Sequence, residues 1–238
     1  MMNRHEFEAS VTSPDSMNYW LSKTKREVAE LLGNDVGNMV GFDQRNPHHC
    51  FDLFSHSLHA VESIQRRTAS LPACERNLLL CAAFFHDIGK IECAMDRGDR
   101  LVFYGHSKKS AEITRPILNE MGYLPMEISE VCFYIAHHDD FISFVTPQEF
   151  KKSKNRFHRE INKNNIMGHI REKEAMLGNR PNAIWYRRSH WDSLCVLCLA
   201  DADAQSLLVK QNGKVIDSRK HKQAKIAKIR SIIVALSC

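Results

Sequence analysis

The chain reads as all-α, on three observations. Apolar residues recur at three- and four-residue spacing through most segments; glycines and clusters of Asn, Asp and Pro separate those segments; and no strand-like runs alternate with the helical ones. No internal repeat is visible. With 238 residues and 43% hydrophobic content, the chain can bury a full core as one large domain.

Each element follows from its own pattern. MNYWLSKTKREVAELLG (17–33) predicts a first helix, with apolar residues in helical register and Gly33 at its end. NDVGNMVGFDQRNPHHC (34–50), rich in Gly, Asn and Asp and carrying Asn46-Pro47, predicts a loop. In FDLFSHSLHAVESIQRRTAS (51–70), Leu53, His56, Ala60 and Ile64 share one helical stripe, so His56 keeps apolar company and His59 is within its reach. Leu71-Pro72 breaks the chain. CERNLLLCAAFFHDIG (74–89) is apolar nearly all round, as a central helix should be, and Gly89 is read as its stop. Residues 91–107, punctuated by Gly98 and Gly105, predict a turn-containing excursion. Two more helices follow at 107–122 and 125–140, the first carrying Pro116, where a kink is expected. HWDSLCVLCLADADAQSLL (190–208) is again helical. Asn212-Gly213 between β-branched residues predicts a small hairpin over 209–217, and HKQAKIAKIRSIIVAL (221–236) closes the chain as an amphipathic helix.

Composition narrows the setting. Eight cysteines sit mostly in apolar stretches without the spacing of a disulfide scaffold, which predicts a reducing, cytoplasmic environment. The C-x-x-C of Cys195 and Cys198 lies in an apolar helical run with no second pair and is read as buried core rather than a metal or redox motif. The first residues lack the apolar centre of a secretory signal, and no apolar stretch approaches the ~20 residues of a membrane span, so a soluble protein with no membrane partner is expected. The net charge of +5 is uneven: residues 151–190 hold eleven Lys/Arg against three Glu, a balance of +8, leaving the rest at −3. That segment either attracts phosphate-rich partners such as nucleic acid or is a solvated insertion, the commoner case.

Thirteen histidines stand out, with pairs at His48/His49, His56/His59 and His137/His138. Collecting the ligand-type residues on predicted helices gives His56, His86-Asp87, His106, His137-His138 and Asp201, each from a different helix or its edge. Helical bundles build interior metal sites in this way. Imidazole with carboxylate suits one or two divalent ions among Mn, Fe, Co, Ni, Zn or Mg, and the spacing does not choose between them. A single histidine here is better read as core or surface. Jointly, burying so many polar groups without a cation would leave costly unpaired atoms. In FFHDIGK the carboxylate of Asp87 can bridge two cations while the adjacent imidazole holds one.

Four ordered segments carry a resemblance. FDQRNPHHCFDLFSHSLHAVESI, LLLCAAFFHDIGK, VFYGHSKKSAEI and LADADAQS resemble the Q-x-N-P-x-H-x-x-D-x-x-x-H-x-L, HD-helix, F-x-G-H-x-x-x-S-A and A-D-A-x-A-Q elements of the HD-domain metal-dependent phosphohydrolase superfamily. They are most similar to the HD domain attached to bacterial CCA-adding tRNA nucleotidyltransferases and its stand-alone relatives. The resemblance implies a single all-α HD-type domain: an N-terminal helix at 17–40, a core at 41–210 that includes a basic insertion at about 151–190, and a C-terminal helical extension at 211–238. No nucleotidyltransferase domain precedes residue 41, so CCA addition is not expected.

Carried over by position, the resemblance implies that His56, His86, Asp87 and Asp201 are core metal ligands, and that His106 with one or both of His137 and His138 hold a second ion. Asp201 is preferred to Asp203 because Gln205 then stands four residues on. His138 lies more naturally than His137 on the stripe of Ile128, Val131 and Ile135, and both are kept. The implied reaction is hydrolysis of a phosphomonoester or phosphodiester, of a nucleotide or related small phosphate ester, by metal-activated water with Asp87 shared between ions. Lys90 would place a charge near the phosphate, with Gln44 and His49 lining the substrate side. The alternative is a nucleic-acid-binding module or nuclease that uses the basic insertion, where Trp185, Tyr186, Arg187 and Arg188 cluster, with the metal site residual or structural. A purely partner-binding helical protein is the third reading. Oligomeric state stays open.

Overall fold

The first 40 residues hold more helix than their pattern predicts. The computed structural model describes residues 1–177, 188–205, 209–211, 214–216 and 218–235. Helix α1, Arg4–Thr12, starts at a capping box in which the Asn3 side chain accepts from Glu6 N and the Glu6 carboxylate accepts from Asn3 N. The helix predicted over 17–33 is divided into α2, Ser16–Leu21, and α3, Lys25–Leu32, because Thr24 and Glu27 form a second capping box and start a new helix. A short α4, Asn34–Gly37, extends into the predicted loop. These pieces close one end of the core: Phe7, Val11, Trp20, Val28 and Leu32 are fully buried, and the Phe7 ring packs 5.2 Å from Phe84 and 5.4 Å from Phe85.

The central layer is helical as expected. Helix α5, Leu53–Arg67, is capped by Asp52, which accepts from Ser55 N at 2.7 Å. Helix α6, Ala73–Phe85, is buried without interruption from Leu78 to Phe85. It ends before Gly89, so the predicted glycine stop is corrected. Gly89 belongs to a 3₁₀ turn, Ile88–Lys90, where a Cβ would stand 2.5 Å from Ser110 N, and the glycine is there for close approach. That turn packs on α7, His106–Met121, which runs on through Pro116, and α7 pairs with α8, Pro125–His137.

Two short strands in the 91–107 excursion, β1 Met95–Asp96 and β2 Leu101–Val102, pair antiparallel. The basic segment is not wholly a solvated insertion. Strand β3, Phe144–Val145, pairs in parallel with β4, Arg159–Glu160, flanking α9, Pro147–Lys152. Helix α10, Lys163–Leu177, then buries Ile166, His169 and Ile170. Lys151, Lys152, Lys154 and Arg156 stay exposed. Trp185, Tyr186, Arg187 and the side chain of Arg188 lie outside the described residues.

Helix α11, Arg188–Asp203, returns through the core beside α5 and α6 with Cys195 and Cys198 fully buried. β5 Val209–Gln211 and β6 Lys214–Ile216 pair antiparallel where the hairpin is predicted, its Asn-Gly turn lying outside the described residues. Helix α12, Ser218–Ala235, buries Ile226, Ile229 and Ile233 against α11. Among the described residues no helix is long and apolar enough to cross a membrane.

Candidate metal centre

Three helices and one turn converge on a buried cluster. His56 comes from the apolar stripe of α5, His86 and Asp87 from the junction between α6 and its 3₁₀ turn, and Asp201 from the last turn of α11. One ligand atom from each lies within 4.8 Å of the others, and all four residues are buried. His56 Nε2 is 3.3 Å from Asp87 Oδ2, 3.2 Å from Asp201 Oδ1 and 3.3 Å from His86 Nε2. A second group adjoins it. Asp87 Oδ1 lies 3.1 Å from His106 Nε2, at the start of α7, and 3.5 Å from His138 Nε2, just past the end of α8. Asp87 thus gives one carboxylate oxygen to each group.

The imidazoles are held by their far nitrogens. Nδ1 faces a backbone carbonyl in every case: Ala204 at 3.2 Å from His56, Ala83 at 2.8 Å from His86, Phe103 at 2.8 Å from His106 and Ile135 at 2.7 Å from His138. A carbonyl only accepts, so each Nδ1 carries a proton and donates, and Nε2 is the nitrogen turned inward. The Nε2 atoms of His56 and His86 stand 3.3 Å apart, a spacing that a shared proton or a cation satisfies and two bare lone pairs do not. The buried Asp87 turns its two oxygens to the imidazoles of both groups, with the Lys90 ammonium also against Oδ2. Carbonyl-oriented imidazoles around a shared carboxylate are the donor set that divalent ions take.

Electrostatics point the same way. Burial alone would lower His86, but the carboxylates of Asp87 and Asp201 outweigh it and carry the imidazolium up to about 10. His106 is likewise raised by Asp87 against its burial. Burial would raise Asp87, yet His86 and Lys90 hold it well below the usual carboxylate range; for Asp201, Lys222 and then His56 and His86 do the same. Positive charge is favoured at the centre of both groups.

The other expected residues are placed as follows. Of the two histidines kept open, His138 stands in the second group and His137 in neither: His137 Nδ1 lies 2.9 Å from Asp140 Oδ2, which also faces His169 Nε2 at 3.0 Å. One residue further along a helix end turns a side chain by about 100°, enough to send neighbouring histidines to different places. Asp203 sits apart, tied to Arg67 at 2.7 Å. Lys90, buried, reaches Asp87 Oδ2 at 2.6 Å and donates to Gln44 Oε1 at 2.9 Å. Gln44 stands behind Lys90 instead of lining the open side. His49 does line it, its ring 4.8 Å from that of His56, and burial, with Lys90 and His56 adding to it, holds it well below 6.5 and so neutral.

Above the cluster opens a cavity of about 420 Å³ whose wall includes Asn46, His49, Lys90, Tyr104 and Lys222. Two contributors escaped the sequence. Asp139 places Oδ2 3.2 Å from His106 Nε2, and its only signal was adjacency to the histidine pair; Lys222 lies 2.5 Å from Asp201 Oδ2 and had none.

The family model described as HD domain matches residues 53–207, a span from the start of α5 to just past Asp201 that contains every residue of both groups. No curated protein matches the chain.

Proposed function

This chain belongs to the HD-domain family, typically metal-dependent hydrolases, and from that premise we propose that it hydrolyses a phosphomonoester or phosphodiester of a nucleotide or similar small molecule. In this reading one divalent ion is held by His56, His86, Asp87 and Asp201, and a second by Asp87, His106 and His138. The carrying observation is the split of Asp87, Oδ2 to one group and Oδ1 to the other. Such ions, when bound, supply Lewis acidity that makes water a nucleophile near neutral pH and offsets charge on phosphoryl oxygens. The chain's own groups do the rest. The carbonyls of Ala204, Ala83, Phe103 and Ile135 fix four imidazoles, and Gln44 steadies the ammonium of Lys90 at the cavity wall, where it meets phosphate oxygens as they gain charge. Neutral His49 adds a polar wall without competing for the substrate's charge.

Within the family we place the chain nearest the HD domain of CCA-adding enzymes, on the four ordered segments, and in a reducing cytoplasm, on the unpaired state of the seven described cysteines. The test is hydrolysis of p-nitrophenyl phosphate and bis(p-nitrophenyl) phosphate with Mn²⁺, Co²⁺, Ni²⁺, Zn²⁺ or Mg²⁺ added singly, in wild type and His86→Ala. Metal-dependent turnover of either ester that His86→Ala abolishes supports the reading. A metal-loaded protein inert to both contradicts it.

One observation favours a second reading, a nuclease or nucleic-acid-binding module: Lys151, Lys152, Lys154 and Arg156 are exposed beside Phe157, which is 67% exposed. Salt-sensitive oligonucleotide binding that survives His86→Ala and vanishes when those four cations are neutralised would favour it.

A further inference from the structure

Lys222 lies beyond the span matched by the HD domain family, yet its ammonium stands 2.5 Å from Asp201 Oδ2. Its place is set by the register of two antiparallel helices. Reading along α11, Asp192 pairs with Arg230 at 2.6 and 3.0 Å, Asp201 with Lys222, and Asp203 with Gln223 through its side chain and with Arg219 through its carbonyl at 3.4 Å. Ile226, Ile229 and Ile233 lock the same register from the apolar side. A slip of one residue would swing α12 by about 100° and withdraw Lys222.

The two oxygens of Asp201 have separate duties. Oδ1 faces His56 Nε2 at 3.2 Å and His86 Nε2 at 3.8 Å, while Oδ2 belongs to Lys222. Asp87 has a counterpart in Lys90, at 2.6 Å from its Oδ2. Both carboxylates of the inner group therefore carry a lysine, one from inside the matched span and one from the C-terminal helix.

We propose that Lys222 is a positioning residue of the metal centre: it holds Asp201 with Oδ1 turned to the histidines, so that α12 is a working part of the site. The inference rests on the metal centre of the proposed function. Outer-sphere partners of metal-ligating groups typically affect metal affinity or activity by about 10–100-fold.

The test uses the full chain as wild type, Lys222→Gln, Lys222→Met and Lys222→Arg. It measures Mn²⁺ affinity by calorimetry, the visible spectrum with Co²⁺, kcat and KM for p-nitrophenyl phosphate, and the melting temperature of metal-free protein. Mn²⁺ affinity should fall about 10–100-fold in Lys222→Gln, with an altered Co²⁺ band, and Lys222→Arg should recover most of the loss. Lys222→Met keeps the apolar stem and carries the same expectation where the glutamine variant does not fold. Wild-type Mn²⁺ affinity and Co²⁺ spectrum in the folded Gln or Met variant would overturn the inference whatever their melting temperatures, since a purely structural pair changes stability alone. A wild type that binds Mn²⁺ but hydrolyses nothing sinks the proposed reaction, while the variants' affinity still decides the role of Lys222. A wild type that takes up neither ion overturns both.

Discussion

Replacing Gly89 with alanine sets two effects against each other, and distances decide between them. Gly89 is not among the glycines with positive φ, so an alanine backbone fits there, and the loss of unfolded-state freedom alone would stabilise by about 0.4–1 kcal/mol. Against this, the added Cβ would stand 2.5 Å from Ser110 N, 2.7 Å from His106 O and 2.9 Å from Lys109 C. All three are backbone atoms of the first turns of α7, so no side chain can swing away. Carbon contacts normally lie at about 3.5–4.0 Å, so the 3₁₀ turn and the helix must part by roughly 1 Å. Overpacking of this kind costs about 1–3 kcal/mol, and mid-range values of cost and gain leave a net loss of roughly 1 kcal/mol. At this chain length the melting temperature should drop by about 2–4 °C. The site feels the same movement, because Asp87 precedes the turn and His106 opens α7, with Oδ1 and Nε2 now 3.1 Å apart. A displacement near 1 Å in a catalytic arrangement typically costs on the order of 10²-fold in rate. Thermal melts of metal-free protein and kcat/KM for p-nitrophenyl phosphate check both halves. A Gly89→Ala protein with a raised melting temperature and full activity would refute the reasoning.

The histidine pair provides a second contrast. His138→Ala should lose the second ion and keep the first, whereas His137→Ala should keep both and lose about 1–3 kcal/mol of stability, because Asp140 gives up a hydrogen bond in a largely buried place; metal content and urea unfolding of the two variants decide it. The acid limb of stability provides a third. Burial would raise Asp140, but His137 and His169 outweigh it and hold the carboxyl below its ordinary 3.8. A carboxylate depressed in the folded state stabilises at pH values above its unfolded pKa, and that share is lost as pH falls through the folded value. Melting temperatures from pH 6 to pH 2 should therefore fall less steeply below about pH 4 in Asp140→Asn than in wild type. Parallel curves would contradict this.

What could be read from the sequence was whatever repeats along one helix. The interior runs of α6 and α11 and the stripe of α5 announce themselves because each buries a continuous surface. Helix α1 stayed hidden, since its fully buried residues are only Phe7 and Val11 among charged neighbours. The break between α2 and α3 hangs on one capping pair, Thr24 and Glu27, inside a stretch whose apolar periodicity continues across it. For residues 151–190 composition reports charge, while the burial of Ile166 and Ile170 depends on what α10 packs against.

The site divides in the same way. His56, His86, His106, His138, Asp87 and Asp201 are legible as residue types that rarely sit on apolar helices without a reason. Which of His137 and His138 turns inward depends on the rotation at the end of α8, and Gln44 serving Lys90 depends on a fold-back across 46 positions. Lys222 looks like any lysine of an amphipathic helix until α12 is laid on α11.

The shared carboxylate of Asp87 is the hinge of the account, and metal stoichiometry tests it most directly. Elemental analysis of purified, Mn²⁺-loaded wild type and Asp87→Ala, with folding checked by circular dichroism, should find two ions per chain in the first and almost none in the second. Full loading of a folded Asp87→Ala protein, or a wild type that retains no metal, would contradict it.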